Sequence, residues 1–398
     1  MIFPYKSYSE VSSVVSISAN GGIATTGPNT EIIINGGKHI SSSSTLYKST
    51  GGKIQIIDGE FESASTFTPE LLKGDTDNIS ISGGAFCGWD PSNTPDKQNY
   101  LALTGETTST YVAIPNKPEP GWYFVTKRQT VTNQGNGSKE NLNNAFKDPE
   151  VTIIDVTTNV DYNESFWLEN RGELTINMNG NTFTGNTTAG KPGGFSGAVV
   201  YDCQLTINDA NILESIQVGY SKARLILNNC NISITSLNTS DRYCIFATTN
   251  SETIYNGGTL SLVPSDGSTK KRHYFYVEKG AKIYVIDCTC GAQMSTYSPV
   301  AYGANGGTVM IYSGSFGFDP RNWATIAPGS QVKEDGSTYI VTHPCIIDAP
   351  SKPDGKKGAK RITAGEYTYP FDPTQWLGNG CEAIKNSDGT WKVSHSSK

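Results

Sequence analysis

Asp155, Asp161 and Glu164 lie close together in the sequence. Hydrolysis of a glycosidic bond needs two carboxylates facing one sugar, roughly 5–10 Å apart. These three are therefore the first residues to weigh for chemistry. As isolated acids near a coil edge they read as a solvated rim, not an acid–base pair. No Asp-Asp pair occurs, and none of His39, His273, His343 and His395 stands between glycines. The eight cysteines, at 87, 203, 230, 244, 288, 290, 345 and 381, form no Cys-x-x-Cys. Cys288 and Cys290 are two apart in an alternating segment and share a face, but metal ligation would need more partners at ligand spacing. Reduced, mostly buried thiols are expected, with no metal, no cofactor and no catalytic residue. Asn177, Asn179, Asn208, Asn228 and Asn229 recur where a calcium-dependent lyase would need acids. They read as stacked structural side chains at coil corners.

The elements that must position these residues are short strands. The chain has 398 residues with 42 Gly, 20 Tyr and 4 Met, and a formal net charge of −6. Sparse charge with abundant Gly, Ser, Thr and Asn suits many strands joined by tight turns. Lys270-Lys271-Arg272 and Lys356-Lys357 with Lys360-Arg361 are the densest basic runs. They read as solvated loops, too narrow for a nucleic-acid footprint. No segment approaches the ~18 apolar residues of a membrane span. The first residues lack a basic region followed by an apolar core, so no secretory signal is expected. Residues 1–15 read as a leader, with Phe3, Tyr5 and Tyr8 as a candidate anchor.

A sixteen-residue pattern occurs twice: Leu46 through Phe61 aligns without a gap on Ala301 through Phe316. Each copy reads as strand, Gly-Gly turn, strand, Gly turn. Internal repeats of this kind mark a solenoid. Strands near 17, 32, 54 and 79 end at Asn-Gly, Asp-Gly or Gly-Gly, and their mutual likeness favours stacked coils over hairpins. Ser138 is expected to N-cap a helix with Glu140 in its first turn and Leu142, Ala145 and Phe146 on its apolar stripe. Such a helix would lid the open end of a solenoid. Beyond it, second strands are expected to begin at 174, 205, 225, 260, 283 and 309. Coils of twenty-odd residues with loops at the turns are those of a right-handed parallel β-helix. The expected fold class is all-β, a β-solenoid with small β capping units. Its parts are a leader (1–15), a short solenoid (16–132), a main β-helix (138–345) and a C-terminal capping unit (346–398).

A second repeat overlies the first. Phe86 with Asp90-Pro91, Phe316 with Asp319-Pro320, and Tyr367 with Asp372-Pro373 each place an aromatic before Asp-Pro. Trp323 and Trp376 follow in the last two, and an Asp-Gly hairpin closes each, with Trp391 in the final one. Proline fixes φ and Asp bonds locally, so Asp-Pro opens a turn. The aromatics are expected to cover the end of the apolar lumen.

This Asp-Pro arrangement resembles the terminal unit of β-solenoid modules in gut-bacterial surface proteins and in virion proteins of their phages, crAss-like phages among them. The body, 138 to 316, is similar in outline to the pectate-lyase-like β-helix of phage tailspikes and fibres. The polygalacturonase pattern of that fold would add Gly-His-Gly and Arg-x-Lys, and Arg361-Ile362-Thr363 departs from it. The resemblance implies a non-enzymatic virion protein, a head- or tail-fibre or spike-like appendage assembled in the host cytoplasm. It implies a homo-oligomer, a trimer first, attached to other virion proteins through the N-terminus, with host glycans as a candidate contact. A bacterial surface adhesin is the alternative, and a polysaccharide depolymerase a more distant one.

Overall fold

A computed structural model describes the chain except for residues 1–6, 12–14, 19–22, 26–29, 42–45, 49–51, 64–71, 75–78, 95–98, 120, 134–136, 186–194, 221, 235–241, 263–271, 293–297, 304–305, 345, 348–360, 363–367, 379 and 396–398. Strand accounts for 60% and helix for 6%, and the mostly parallel strands form a β-solenoid of about 8 turns, so the all-β expectation holds. The chain divides into two compact units. One comprises residues 1–130 with 148–153, the other 131–147 with 154–398.

In the first unit, Thr30–Ser41 and Lys53–Ser63 pair in parallel and bend at Asn35-Gly36-Gly37 and Asp58-Gly59, where their register shifts. The glycine pairs are thus corners of coils, not hairpin turns. Ser7–Val11 and Val15–Ser18 pair in parallel with Thr30–Ser41. This departs from the expected leader. Tyr8 sits in the strand Ser7–Val11 opposite Glu31, whereas Phe3 and Tyr5 lie outside the described residues. Alternation at Val11, Val15 and Ile17 gives this segment strand character. Inside the unit, His39, Phe61 and Phe86 occupy one register position of successive coils. Their rings stack at 4.9 Å and 4.9 Å, about one coil spacing.

The second unit is a three-faced parallel β-helix. On the first face, Leu174, Leu205, Leu225, Thr253, Ile283 and Val309 stack in register. The expected coil start at 260 is therefore corrected to 253. Leu260 belongs to the second face, opposite Ile232 and Cys290, because Gly257-Gly258 is a corner of its coil. The third face contains Phe166–Glu169, Phe195–Val200, Ser215–Gly219, Arg242–Ala247, Arg272–Val277 and Val300–Tyr302. Arg272, expected in a solvated loop, is buried at the start of one of these strands.

A helix spans Ser138–Lys147. Ser138 is its first residue, not its cap: the carbonyl of Gly137 accepts from the Asn141 amide, and Ser138 Oγ donates to the carbonyl of Asn159. Leu142 and Phe146 meet Phe166, Ile176, Met178, Phe183, Ile207, Ile212 and Ile216 around an apolar void of about 20 Å³. The helix's apolar stripe thus covers hydrocarbon of the coil lumen.

Candidate functional site

Asp155 and the Asn residues expected to stack at coil corners form ladders from coil to coil. Asn177 Nδ2 donates to Asp155 Oδ1 at 2.7 Å, Asn208 to Asn177 at 2.9 Å, and Asn228 to Asn208 at 2.9 Å. A second column runs beside it, with Asn229 Nδ2 donating to Asp209 Oδ1 at 2.8 Å. Asn179, Asp209 and Asn229 hold φ of 53°, 53° and 52°. Asn and Asp tolerate this left-handed conformation best among side-chain-bearing residues. Each ladder rung satisfies polar groups of the coil beside it.

The three acids singled out for hydrolysis each have their own surroundings. Asp155 is the foot of the Asn ladder. Glu164 pairs with Lys139 of the helix at 2.8 Å. Asp161 is exposed in its strand. Arg224 pairs with Glu252 at 2.7 Å and reaches Gln204 at 3.2 Å, another rung between neighbouring coils. Among the described residues no group of three or more His, Cys, Asp or Glu could hold a metal ion.

Cys203, Cys230, Cys244, Cys288 and Cys290 are buried, Cys87 and Cys381 are partly exposed, and Cys345 lies outside the described residues. Cys288 Sγ lies 3.2 Å from Cys290 Sγ, and both are buried. Cys230 stands in one column with Gly258 and Cys288. A Cβ on Gly258 would come within 1.9 Å of the Cys230 carbonyl oxygen, so only glycine fits between the coils there. Burial pushes the Cys203 thiol up to about 11 and the Cys230 thiol up to about 12. Such thiols are poor nucleophiles near neutral pH.

The Asp-Pro segments share a local geometry. Asp90 Oδ1 accepts from the Ser92 amide at 2.9 Å, Asp319 Oδ1 from the Arg321 amide at 3.0 Å, and Asp372 Oδ1 from the Thr374 amide at 2.9 Å. Pro91, Pro320 and Pro373 hold the position between donor and acceptor, where no amide hydrogen exists. The strand before each turn then pairs antiparallel with a later one: Phe86 opposes Tyr123, Phe316 opposes Tyr339, and Tyr369 opposes Trp391. In the third segment Tyr369, fully buried, is thus the aromatic equivalent of Phe316, and Tyr367 lies outside the described residues. The reason is spacing: Tyr369, like Phe316, stands three residues before its Asp. Trp323 is partly buried, and its carbonyl accepts from the Tyr302 hydroxyl at 2.7 Å.

The third segment does not sit over the lumen. Tyr369, Phe371, Trp376 and Val393 pack with Ile226, Ile254, Tyr284 and Tyr312 on the second unit's first face. Trp376 Nε1 donates to Asn228 Oδ1 at 2.8 Å, and Trp391 packs at the cluster's edge. The sequence carries a signal for this. Outward positions of the first face run Thr175, Thr206, Ile226, Ile254, Tyr284, Met310. Where hydrocarbon replaces threonine, that face is covered.

The outer side of the third face carries rings that the sequence reading counted but did not place. Phe246 and Tyr276 occupy neighbouring register positions at 4.9 Å, and Tyr243 stacks against Phe246 and His273 and meets Tyr276 at a tilt. Trp167, two coils before Gln217 in the same register, is 56% exposed. At the adjoining corner Tyr201 and Tyr220 stack at 4.7 Å with 40% of each exposed. In the first unit an open cleft of about 480 Å³ is lined by Lys38, Asp58, Glu60, Lys117 and Phe124. Lys38 already faces Glu60 and Glu62, at 3.9 and 3.7 Å.

The chain matches no protein-family model, no curated protein and no solved structure.

Proposed function

We propose that the chain is a non-enzymatic structural protein of a virion, the rigid β-helical shaft of a head- or tail-fibre or spike-like appendage. The observation that carries this reading is the use of the exterior polar residues. Asp155, Asn177, Asn208 and Asn228 bond to one another from coil to coil, so these polar side chains serve axial cohesion. Each rung adds a modest stabilisation, on the order of 1 kcal/mol, and repetition along the axis makes a stiff rod. Such a shaft would assemble as a trimer and attach through its N-terminal region. Its exposed rings, Trp167 foremost, would contact host glycans, because a sugar's apolar face stacks on aromatic surface.

A bacterial surface adhesin is the second reading, favoured by the same exposed rings. Antibody against the purified chain separates the two. Gold label on phage particles supports the virion reading, whereas label confined to the surface of uninfected bacteria supports the adhesin. Incubation with capsular and plant polysaccharides tests the non-enzymatic part. New reducing ends or unsaturated products that vanish in Asp161→Asn or Glu164→Gln would overturn it.

A further inference from the structure

Two arginines stand side by side inside the second unit. Arg242 and Arg272 are register partners on adjacent coils of the third face, 2% and 1% exposed. Burying a guanidinium is costly unless its N–H groups are bonded. Among the described residues, Arg242 makes no ion pair, and its Nε and Nη2 have no hydrogen-bond partner. Ser215, one strand away at the position beside Cys244, is also buried with a partnerless hydroxyl.

The two orphaned atoms are informative as a pair. Nε and Nη2 form one edge of the guanidinium, and their N–H bonds run parallel in a fixed fork. The fork fits two oxygens of one carboxylate or phosphate. This same protein shows the fit at its surface. Arg321 gives Nε to Asp319 Oδ1 at 2.8 Å and Nη2 to Asp319 Oδ2 at 2.7 Å. At Arg242, among the described residues, the identical edge is buried and neither nitrogen has a hydrogen-bond acceptor.

The surrounding charge points the same way. Burial holds the Arg242 pKa below its ordinary value; the charge of buried Glu214 works against this and that of Arg272 adds to it. Arg272, its register partner, adds to the positive potential at Arg242. Glu214 also holds φ of 83°, a conformation that a glutamate adopts at a cost and that the surrounding fold must impose.

We infer that the Nε–Nη2 edge of Arg242 is the recognition element of a buried anion site on the Arg242–Arg272 ladder, which takes one compact oxyanion: phosphate, sulfate or a small carboxylate. Because both arginines are enclosed, the ion enters as the chain folds and leaves when it unfolds. It is a structural ligand of the coil stack, independent of whether the shaft belongs to a virion or a cell surface.

The full-length chain tests this directly. Protein purified in phosphate, desalted into a neutral zwitterionic buffer and unfolded in guanidinium should release one equivalent of phosphate, read by ion chromatography. Thermal unfolding at constant ionic strength should show a midpoint that rises by several degrees and saturates at low millimolar ligand. Separate arms with phosphate, sulfate and acetate distinguish the ligand's source. Sulfate and phosphate also stabilise proteins generally by exclusion from their surface, without saturating. Arg242→Met should therefore lose the saturating component and keep the general one. Arg242→Lys, which retains charge but not the fork, should do the same. No released anion, together with a midpoint that does not saturate, would overturn the site, leaving water as the partner of the fork. Equal saturation in Arg242→Met would overturn it too. Should neither variant fold, the released-ion count on the native chain decides: one equivalent sustains the site and none refutes it.

Discussion

Asn228 is where the ladder and the C-terminal segment meet. Its side chain donates to Asn208 and accepts from the Trp376 indole. Asn256 Nδ2 also donates to Asn228 Oδ1 at 3.4 Å, so replacing Asn228 with alanine removes three bonds and leaves an indole N–H buried without an acceptor. Asn228→Ala should lower stability by about 2–4 kcal/mol, and Asn179→Ala, at an exposed corner, by less. Parallel denaturant titrations followed by tryptophan fluorescence would compare them. The thiols set the alkaline limit. Cys203 and Cys230 titrate in the folded chain at about 11 and about 12, above their ordinary value of 9.0, because burial disfavours the thiolate. A raised folded pKa favours the folded state below the ordinary value, and that advantage is lost as pH rises through the folded one. Stability should therefore fall between pH 9 and 12. Cys203→Ser with Cys230→Ser should flatten that limb of a pH–melting curve. In the native state at pH 8 the buried thiols should not react with a thiol reagent.

At the scale of elements, the strands before the Asp-Pro turns matter most. Phe86 and Phe316 each end an inward column and are fully buried. Gly84 and Gly314 precede them with φ of 100° and 144°. A Cβ there would lie 2.9 Å from the Gly59 carbonyl oxygen and 2.5 Å from that of Cys288. Phe316→Ala should cost about 3–5 kcal/mol by leaving a cavity at a place the coils cannot close. Gly314→Ala should cost comparably through backbone conflict, and guanidinium unfolding would measure both. The C-terminal segment has an acid-sensitive seam. His343 packs against Tyr312 and Tyr369, and burial holds its pKa below the ordinary 6.5. A depressed folded pKa favours the folded state above 6.5, and this is lost as pH falls through the lower value. Acidification should loosen the contact around Tyr369, seen as a shift in tryptophan emission that His343→Phe suppresses.

Much of the whole molecule was legible in its sequence. Alternation closed by glycine pairs, at Ile32–Ile34 and Ile54–Ile56, marks stacked strands, because a coil buries one side of each strand and bends where φ turns positive. The helix was legible from Leu142, Ala145 and Phe146. Leu260 was assigned to the wrong face because Thr253-Ile254-Tyr255 and Leu260-Ser261-Leu262 carry the same local pattern. Only the pairing partner distinguishes them. The docking of Trp376 and the burial of Arg272 are long-range facts, invisible to periodicity. Leu225-Ile226-Leu227, apolar on both sides of its strand, was the local trace of the former. For the intact assembly, the trimer reading predicts a solution mass of three 42.8 kDa chains, checked by light scattering. A monomer at micromolar concentration would refute it.

The apolar column Ile226, Ile254, Tyr284 and Met310 takes one residue from each of four successive coils and, with Tyr312 beside it, packs against Tyr369, Phe371 and Trp376. The C-terminal segment therefore works as a gauge block laid along the axis. Inserting or deleting a coil of about 4.8 Å between 224 and 312 would slide the indole of Trp376 off Asn228. The stretch at 172–208, whose outward residues are Thr175 and Thr206, carries no such gauge. Length is thus free to vary by whole coils on one side of residue 224 and held fixed on the other. A redesigned or diverged β-helix should grow there and nowhere else in this unit.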